Sequence, residues 1–357
     1  MTQNRTRQQI LFALALGLVL ACVIGGGAIV AQSALRVAFG PTATLTPTRK
    51  PTATPIRTAT SQPAAENVST PEIILSPTVA ATANDAITLG PTRTPRPLIQ
   101  HLLLDRPVSL NVRGTLPSTN YLYGTTRGGE LEVHHGEEFE NDTGTFVFSV
   151  GDGAVIVAGN DEQALCGDNS KSVCGRNLQP DGFYGNLVVI QLSKTYRNQR
   201  VFVLYAHLDS VHVAVGRNVI IGDVLGEVGE TGIALGPHVH VEVRVGVNDY
   251  AHTRNPILWM LPLAGRGQLA GRYTDAKNVL VPGASIKIYR DDGSYVGETE
   301  TYSKDKNSAV ISDDEMQENF AYPDLPEGNY IVKVTNTQYA AKAKIEDGKL
   351  TFVELGP

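Results

Sequence analysis

Five of the eight histidines fall in three short groups: His134 and His135 in HHGEEF, His207 in YAHLDS, and His238 with His240 in GPHVHVEVR. Imidazole titrates near neutrality and is the commonest protein ligand for transition metals. Read as a strand, HVHVEVR places His238, His240, Glu242 and Arg244 on one face and Val239, Val241 and Val243 on the other. His134 and Glu138 flank Gly136, and a turn there would bring an imidazole nitrogen and a carboxylate oxygen to one point. Three such ligands with a fourth position left to water have the composition of a catalytic zinc site, one Zn2+ per chain. Two plainer readings compete: a chance group of strand histidines, and a Glu138 carboxylate that is simply solvated within EEFEND. His101, His212 and His252 stand apart from these groups and read as structural.

The elements that must position these side chains are strands. Between His101 and Leu263 the chain offers short β-branched runs (GAVIVAG, NLVVIQL, VFVLYAHL, NVIIGDVLGEVG, HVHVEVRV) separated by Gly, Asn and Asp, with no useful helical period. An all-β domain over 101–264 is expected. After Pro262, ASIKIYRDDGSYVGETET, FAYPDLPEGNYIVKVTNT and AAKAKIEDGKLTFVEL describe a small antiparallel β-sandwich over 265–357, with a hairpin signal at DDG.

At the histidine groups the chain resembles the lysostaphin-type (LytM) zinc endopeptidases, whose pattern is His-x-x-x-Asp early, Tyr-x-His-Leu between and His-x-His late. GTFVFSVGDGAVIVAG, FYGNLVVIQL, VFVLYAHLDS, VGRNVIIGDVLGEVGETG and GPHVHVEVR follow in the family's order over roughly residues 131–259. The resemblance implies an antiparallel β-sheet of the duplicated hybrid motif type and hydrolysis of peptide bonds in bacterial peptidoglycan. It makes His134, Glu138 and His240 the zinc ligands, with His207 and His238 beside them as general base and transition-state donor. Zinc acidifies a water and polarises a carbonyl, while imidazoles off the metal can move protons. Glu138 departs from the family aspartate by one methylene, and a misplacement above about 1 Å can cost roughly a hundredfold in rate. A catalytically silent scaffold that binds the wall or activates another hydrolase is therefore the alternative function. His135 adds a second ambiguity, lying three residues before Glu138. Asn186 and Arg244 also match the family, in supporting roles: turn geometry for the first, a surface or carboxylate contact for the second. The C-terminal segment looks like the carboxypeptidase-regulatory or Cna-B type of immunoglobulin-like module. It would be a spacer, or a recognition module for wall polymer or protein, and an adhesin centred on it is a third option.

Composition organises the rest of the 357 residues. Residues 1–100 carry 8 basic and 3 acidic side chains, leaving 22 basic and 33 acidic in 101–357. So acidic a body argues against nucleic acid as a partner. Ile10 to Ala31 is almost wholly apolar, about the 20 residues that cross a bilayer as a helix. With Arg5 and Arg7 before it, residues 1–36 read as a cytoplasmic tip and transmembrane signal-anchor, the body lying outside the membrane. A signal cleaved after Ala31-Gln32-Ser33, giving a secreted protein, and a lipoprotein signal at Cys22 are the rivals. Residues 37–100 hold ten of the 20 prolines between Pro41 and Pro97 and no Tyr or Trp, and read as a disordered Thr/Pro linker. As polyproline II, the part from Pro41 to Pro97 would reach at most roughly 180 Å. Cys166 and Cys174 bracket CGDNSKSVC, where a disulfide would contribute roughly 2.5 kcal/mol; two free thiols are the other reading.

Overall fold

Sixteen strands make up nearly all the regular structure of the computed structural model, which describes residues 101–161, 182–303 and 310–357. In chain order they are β1 (Glu137–Glu140), β2 (Phe146–Phe148), β3 (Gly153–Asn160), β4 (Asn186–Tyr196), β5 (Gln199–Val211), β6 (Asn218–Val219), β7 (Val224–Val228), β8 (His238–Val245) and β9 (Thr253–Arg254). Then follow β10 (Arg266–Tyr273), β11 (Ser285–Arg290), β12 (Tyr295–Glu300), β13 (Phe320–Pro326), β14 (Gly328–Val334), β15 (Ala340–Ile345) and β16 (Leu350–Leu355). Tyr250–His252 and Pro256–Leu258 are single 3-10 turns. The expected all-β character holds for these residues. The predicted membrane segment (1–36), the Thr/Pro linker (37–100) and the Cys166–Cys174 pair lie outside the described residues. Among those described, no helix is long and apolar enough to cross a membrane.

The first nine strands form one sheet, β1-β8-β5-β4-β3-β6, with β7 on β5, β2 on β7 and β9 on β8. Every pairing in it is antiparallel. Its central strands are apolar on both sides, as a doubly covered sheet requires. In β4 and β5, Val188, Ile190, Val203 and Tyr205 join the main core, while Leu187, Val189, Phe202, Leu204 and Ala206 pack with Tyr184 on the other face. β8 follows the same division. Val239, Val241, Val243 and Val245 enter the main core, so His238, His240, Glu242 and Arg244 are turned to the opposite face.

Residues 266–355 form two further sheets, β13-β10-β16 and β12-β11-β14-β15. The expectation of a wholly antiparallel module is corrected at one pair, because β10 and β16 run parallel. No tight hairpin links these two strands; the rest of the module lies between them, and a parallel pair needs just such a long connection.

The two sheet systems are not separately cored. One hydrophobic cluster runs from Leu104 and Val243 through Trp259 and Leu269 to Ile286 and Leu355. Ionic contacts reinforce it: Arg106 Nη2 donates to Asp324 Oδ1 at 2.8 Å. The Glu300 carboxylate on β12 accepts from Thr126 N and Oγ1, both at 3.1 Å, and from Gly128 N at 2.5 Å. Through that carboxylate, the C-terminal module grips the loop that leads to His134.

Candidate metal centre

The pairing of β1 with β8 joins two of the three histidine groups. Its register sets Glu138 opposite His240 and Glu140 opposite His238. On the other side of β8, Ala206 of β5 lies opposite His240, a small residue that leaves room for the ring. His134 precedes β1, in a loop fixed by two backbone bonds: His134 N to Thr125 O (3.1 Å) and Gly124 N to His134 O (2.8 Å). Gly136 lies between, as the turn at that position demands. A Cβ there would stand 2.6 Å from both His240 Cε1 and Nε2, so any side chain would push the imidazole out of place.

His207 comes from the third group and occupies an irregularity in β5. Its φ is 61°, the left-handed region that residues other than glycine enter at a cost and that recurs at functional sites. Asn186 Nδ2 holds the chain just beyond, donating to Leu208 O (3.0 Å) and Asp209 O (3.1 Å). Thr231 completes the clamp. Its hydroxyl donates to Leu208 O at 2.8 Å and accepts from Asn186 N at 2.9 Å, and its carbonyl lies 2.8 Å from His207 Nδ1.

These contacts fix which ring atoms point inward. His207 Nδ1 donates to the Thr231 carbonyl, and His238 Nδ1, 2.8 Å from the Gly236 carbonyl, donates likewise. Each ring therefore keeps a lone pair on Nε2. His240 uses Nε2 toward Glu242 Oε1 at 3.3 Å, which leaves its Nδ1 lone pair facing His134 Nε2 at 3.2 Å. Glu138 Oε1 stands 3.6 Å from His134 Nε2 and 3.7 Å from His238 Nε2. The carboxylate reaches the histidines in spite of its extra methylene.

Electrostatics keep two of the imidazoles, His134 and His207, neutral. Burial, then the neighbouring His240, holds His134 well below the usual histidine range. Burial, with His240 and His238 adding to it, pushes His207 down to about 3 against the opposing pull of the Thr231 carbonyl. Glu242 behaves differently. Burial pushes it up, but Arg244, His240 and Tyr184 outweigh that and hold it at about 2, a permanent carboxylate behind His240. Arg244 is itself fully buried, with Nε 2.7 Å from Glu242 Oε2, Nη1 2.8 Å from Asn248 Oδ1 and Nη2 2.9 Å from Tyr184 Oη. Of the two roles expected for Arg244, the surface contact is therefore corrected and the carboxylate contact holds.

Among the described residues two sets could hold a metal ion, His134 with Glu138 and His240, and His207 with His238 and His240; within each, the candidate atoms lie within 4.8 Å of one another. Two separations in the first set lie close to the tetrahedral value. Bonds of about 2.0–2.1 Å at tetrahedral angles put ligand atoms about 3.3 Å apart, against 3.2 Å for His134 to His240 and 3.6 Å for His134 to Glu138. Donor type agrees as well, two imidazoles and one carboxylate. His238 Nε2 is buried without a hydrogen-bond partner beside this set.

The remaining candidates lie elsewhere. His135 turns away, 3.0 Å from Thr253 Oγ1 and stacked on Tyr250, and joins neither set. His101, His212 and His252 join neither. Glu137, the other member of the EEF pair, is fully buried on the opposite face of β1, its carboxyl raised well above the usual range by burial. Sequence reasoning did not assign three participants. Glu242 was visible as a residue on the histidine face of β8; Tyr184 sat inside the FYGN motif; Tyr121, stacked on His134 at 4.0 Å and 9°, carried no sequence signal.

Residues 132–255 match the sequence model of peptidase family M23, and this part of the chain is an M23 (LytM-type) domain. Relatives include the peptidoglycan DD-endopeptidase ShyB of Vibrio cholerae, 32% identical over 117 residues, which are 33% of this chain and 22% of that protein. The DD-carboxypeptidase/endopeptidase Mpg of Neisseria meningitidis is 41% identical over 81 residues, 23% of this chain and 16% of Mpg. This chain thus spans no more than about a quarter of the length of the curated relatives it matches. Among solved structures, a zinc-containing peptidase from Vibrio cholerae is 25% identical, covering 42% of this chain and 37% of that one at a TM-score of 0.29. The lysostaphin catalytic domain from Staphylococcus simulans is 24% identical, covering 38% and 86%, also at a TM-score of 0.29.

Proposed function

We propose that this protein is a zinc metalloendopeptidase that hydrolyses peptide bonds of bacterial peptidoglycan, held to the outer side of a membrane by residues 10–31. The observation that carries the reading is the convergence of His134, Glu138 and His240, with His134 Nε2 3.2 Å from His240 Nδ1 and 3.6 Å from Glu138 Oε1, and with His238 Nε2 alongside making no hydrogen bond. M23 relatives named as peptidoglycan endopeptidases support the substrate class.

In this reading His134, Glu138 and His240 hold the ion, and the Glu242 carboxylate orients His240 through Nε2, the partner a ligand histidine ordinarily has. Bound zinc would polarise a scissile carbonyl and acidify a water. His207 and His238 stay off the metal. Each is locked by its Nδ1–H on a backbone carbonyl, so Nε2 is the atom that takes a proton from the attacking water and returns it to the leaving amine. Burial favours neutral His207 before reaction, and the nearby Glu242 carboxylate offsets part of the cost once it is charged. The C-terminal module serves here as a recognition element for the wall as well as a brace for the His134 loop, and Thr/Pro residues 37–100 set its reach.

The test is metal content and turnover of the full-length chain. About one zinc per chain, with release of cross-link peptides from bacterial sacculi that stops on chelation and returns with zinc, is expected. Zinc binding without any release would instead assign the protein to the scaffold class.

A further inference from the structure

A cleft of about 240 Å³ opens beside the histidine cluster, with Glu138 and His238 on one wall and Arg113, Asp142, Leu235 and Pro237 around the rest. Arg113 stands on a loop that is tied down rather than loose. Gly114 N donates to Asn141 Oδ1 and Asn141 Nδ2 to Gly114 O, both at 3.2 Å, while Thr115 Oγ1 lies 2.8 Å from Ser109 O and 3.0 Å from Val112 O. No side chain could replace Gly114. A Cβ there would fall 1.8 Å from the Glu140 carbonyl oxygen at the end of β1, so the loop is pressed against the strand that carries Glu138. Arg113 is exposed and forms no ion pair among the described residues, although Glu140 and Asp142 line the same cleft. Glu140 is engaged by Ser118 Oγ at 2.6 Å. Leu235, 78% exposed, supplies an apolar wall across from it.

A fixed loop that holds an unpaired guanidinium next to the reaction centre has the form of a recognition site, since arginine's planar fork binds a carboxylate through two parallel hydrogen bonds. We propose that Arg113 is a specificity-determining residue that binds a free carboxylate on the substrate peptide, at a residue adjoining the scissile bond. The proposal rests on the peptidase reading above for its substrate. Leu235 and Pro237 cover the aliphatic part of that residue, and Asp142 disfavours a second anion, so the site selects one carboxylate rather than a polyanion.

The test uses full-length protein stripped of metal by chelation, so that binding is read without turnover. The probes are cross-linked peptide dimers released from bacterial sacculi by a muramidase, before and after conversion of their carboxylates to amides. The unmodified protein is expected to bind the native dimers up to about fivefold more tightly than the amidated ones, the upper size of one exposed arginine–carboxylate pair. Arg113→Gln, on an exposed side chain, is expected to bind both forms alike at the weaker level. Equal binding of the two forms by the unmodified protein, or discrimination that survives Arg113→Gln, overturns the proposal. If the zinc-loaded protein leaves native dimers uncut while the stripped protein still discriminates through Arg113, the peptidase reading falls and the carboxylate site stands.

Discussion

Two buried clusters in this molecule draw on the same side-chain types and reach opposite arrangements. At the interface of the two sheet systems, each carboxylate has donors. Asp313 Oδ1 accepts from Glu315 N (2.9 Å), Met316 N (3.1 Å) and Tyr196 Oη (3.3 Å); Glu318 accepts from Tyr302 Oη (2.9 Å) and Asp313 N (3.0 Å). His101 packs at 4.4 Å on Trp259, with Nε2 3.1 Å from Asp313 Oδ2, near enough for an ion pair though not aligned as a hydrogen bond. In the metal cluster the outward ring atoms are tied to Thr231, Gly236 and Glu242, and the inward ones face one another. In the first, backbone N–H groups and tyrosine hydroxyls supply most of the carboxylates' donors, while Asp313 Oδ2 and both His101 nitrogens make no hydrogen bond. The second gathers imidazole nitrogens and a carboxylate oxygen around one point, a donor set that suits a metal cation.

Truncating one member of each cluster should separate these roles most sharply. His240→Ala is expected to abolish zinc binding and peptide release while lowering the stability of the metal-free protein by no more than about 1–2 kcal/mol. Asp313→Ala should cost about 3–5 kcal/mol, the loss typical of breaking a buried charged network, with zinc stoichiometry retained in the folded fraction. Denaturant unfolding beside metal analysis reads both quantities. A destabilising His240→Ala with a silent Asp313→Ala would reverse the distinction.

The interface cluster also carries a pH signature. Burial, with the Asp313 charge adding to it, raises Glu318 to about 8, so the folded chain keeps this proton where the unfolded chain has lost it. The folded state then binds more protons than the unfolded one between roughly pH 4.5 and pH 8, and stability falls as pH rises through that window, by up to about 1.4 kcal/mol per pH unit. Below the unfolded value the contribution is fully present. Asp313 contributes in the opposite sense at acid pH, since His101 and the backbone N–H groups hold it low against its burial. Glu318→Gln is expected to flatten the decline above pH 5. An unchanged profile in the variant would assign the slope to other groups.

Legibility followed distance along the chain. The alternation of HVHVEVR fixed the face of β8, and Gly136 announced the turn, because both depend on a few adjacent residues. The candidate ligand set was proposed from motif order rather than from any single residue, and the structure brings its three members together. Long-range partners were not readable. Glu300 holds Thr126 across 174 positions, and nothing near either residue marks the pair. The same is true of Tyr196 and Asp313, 117 positions apart, and of the parallel pairing of β10 with β16. Arg244 shows why burial is hard to infer locally. It alternates correctly, yet only the covering layer of Tyr184 and Asn248 turns its expected surface position into a buried ion pair.

Glu138 gives the finest test of the metal cluster, because sequence and structure argue in opposite directions about its length. Set against the aspartate pattern, the extra methylene is a handicap, and Glu138→Asp would raise activity. In the folded chain the backbone has already settled around glutamate: Glu138 sits directly opposite His240, and its Oε1 lies between His134 and His238 at 3.6 Å and 3.7 Å. Gly136, closed against the His240 ring, leaves the start of β1 little freedom to advance toward the cluster. Shortening the side chain withdraws the oxygen by about one carbon–carbon bond. Zinc affinity should then weaken about tenfold, with a comparable loss of turnover at limiting metal that excess zinc partly restores. Competition with a chelator measures the first quantity and peptide release the second. A gain in both would mean that the β1–β8 register, rather than the side chain, adapts to the shorter residue.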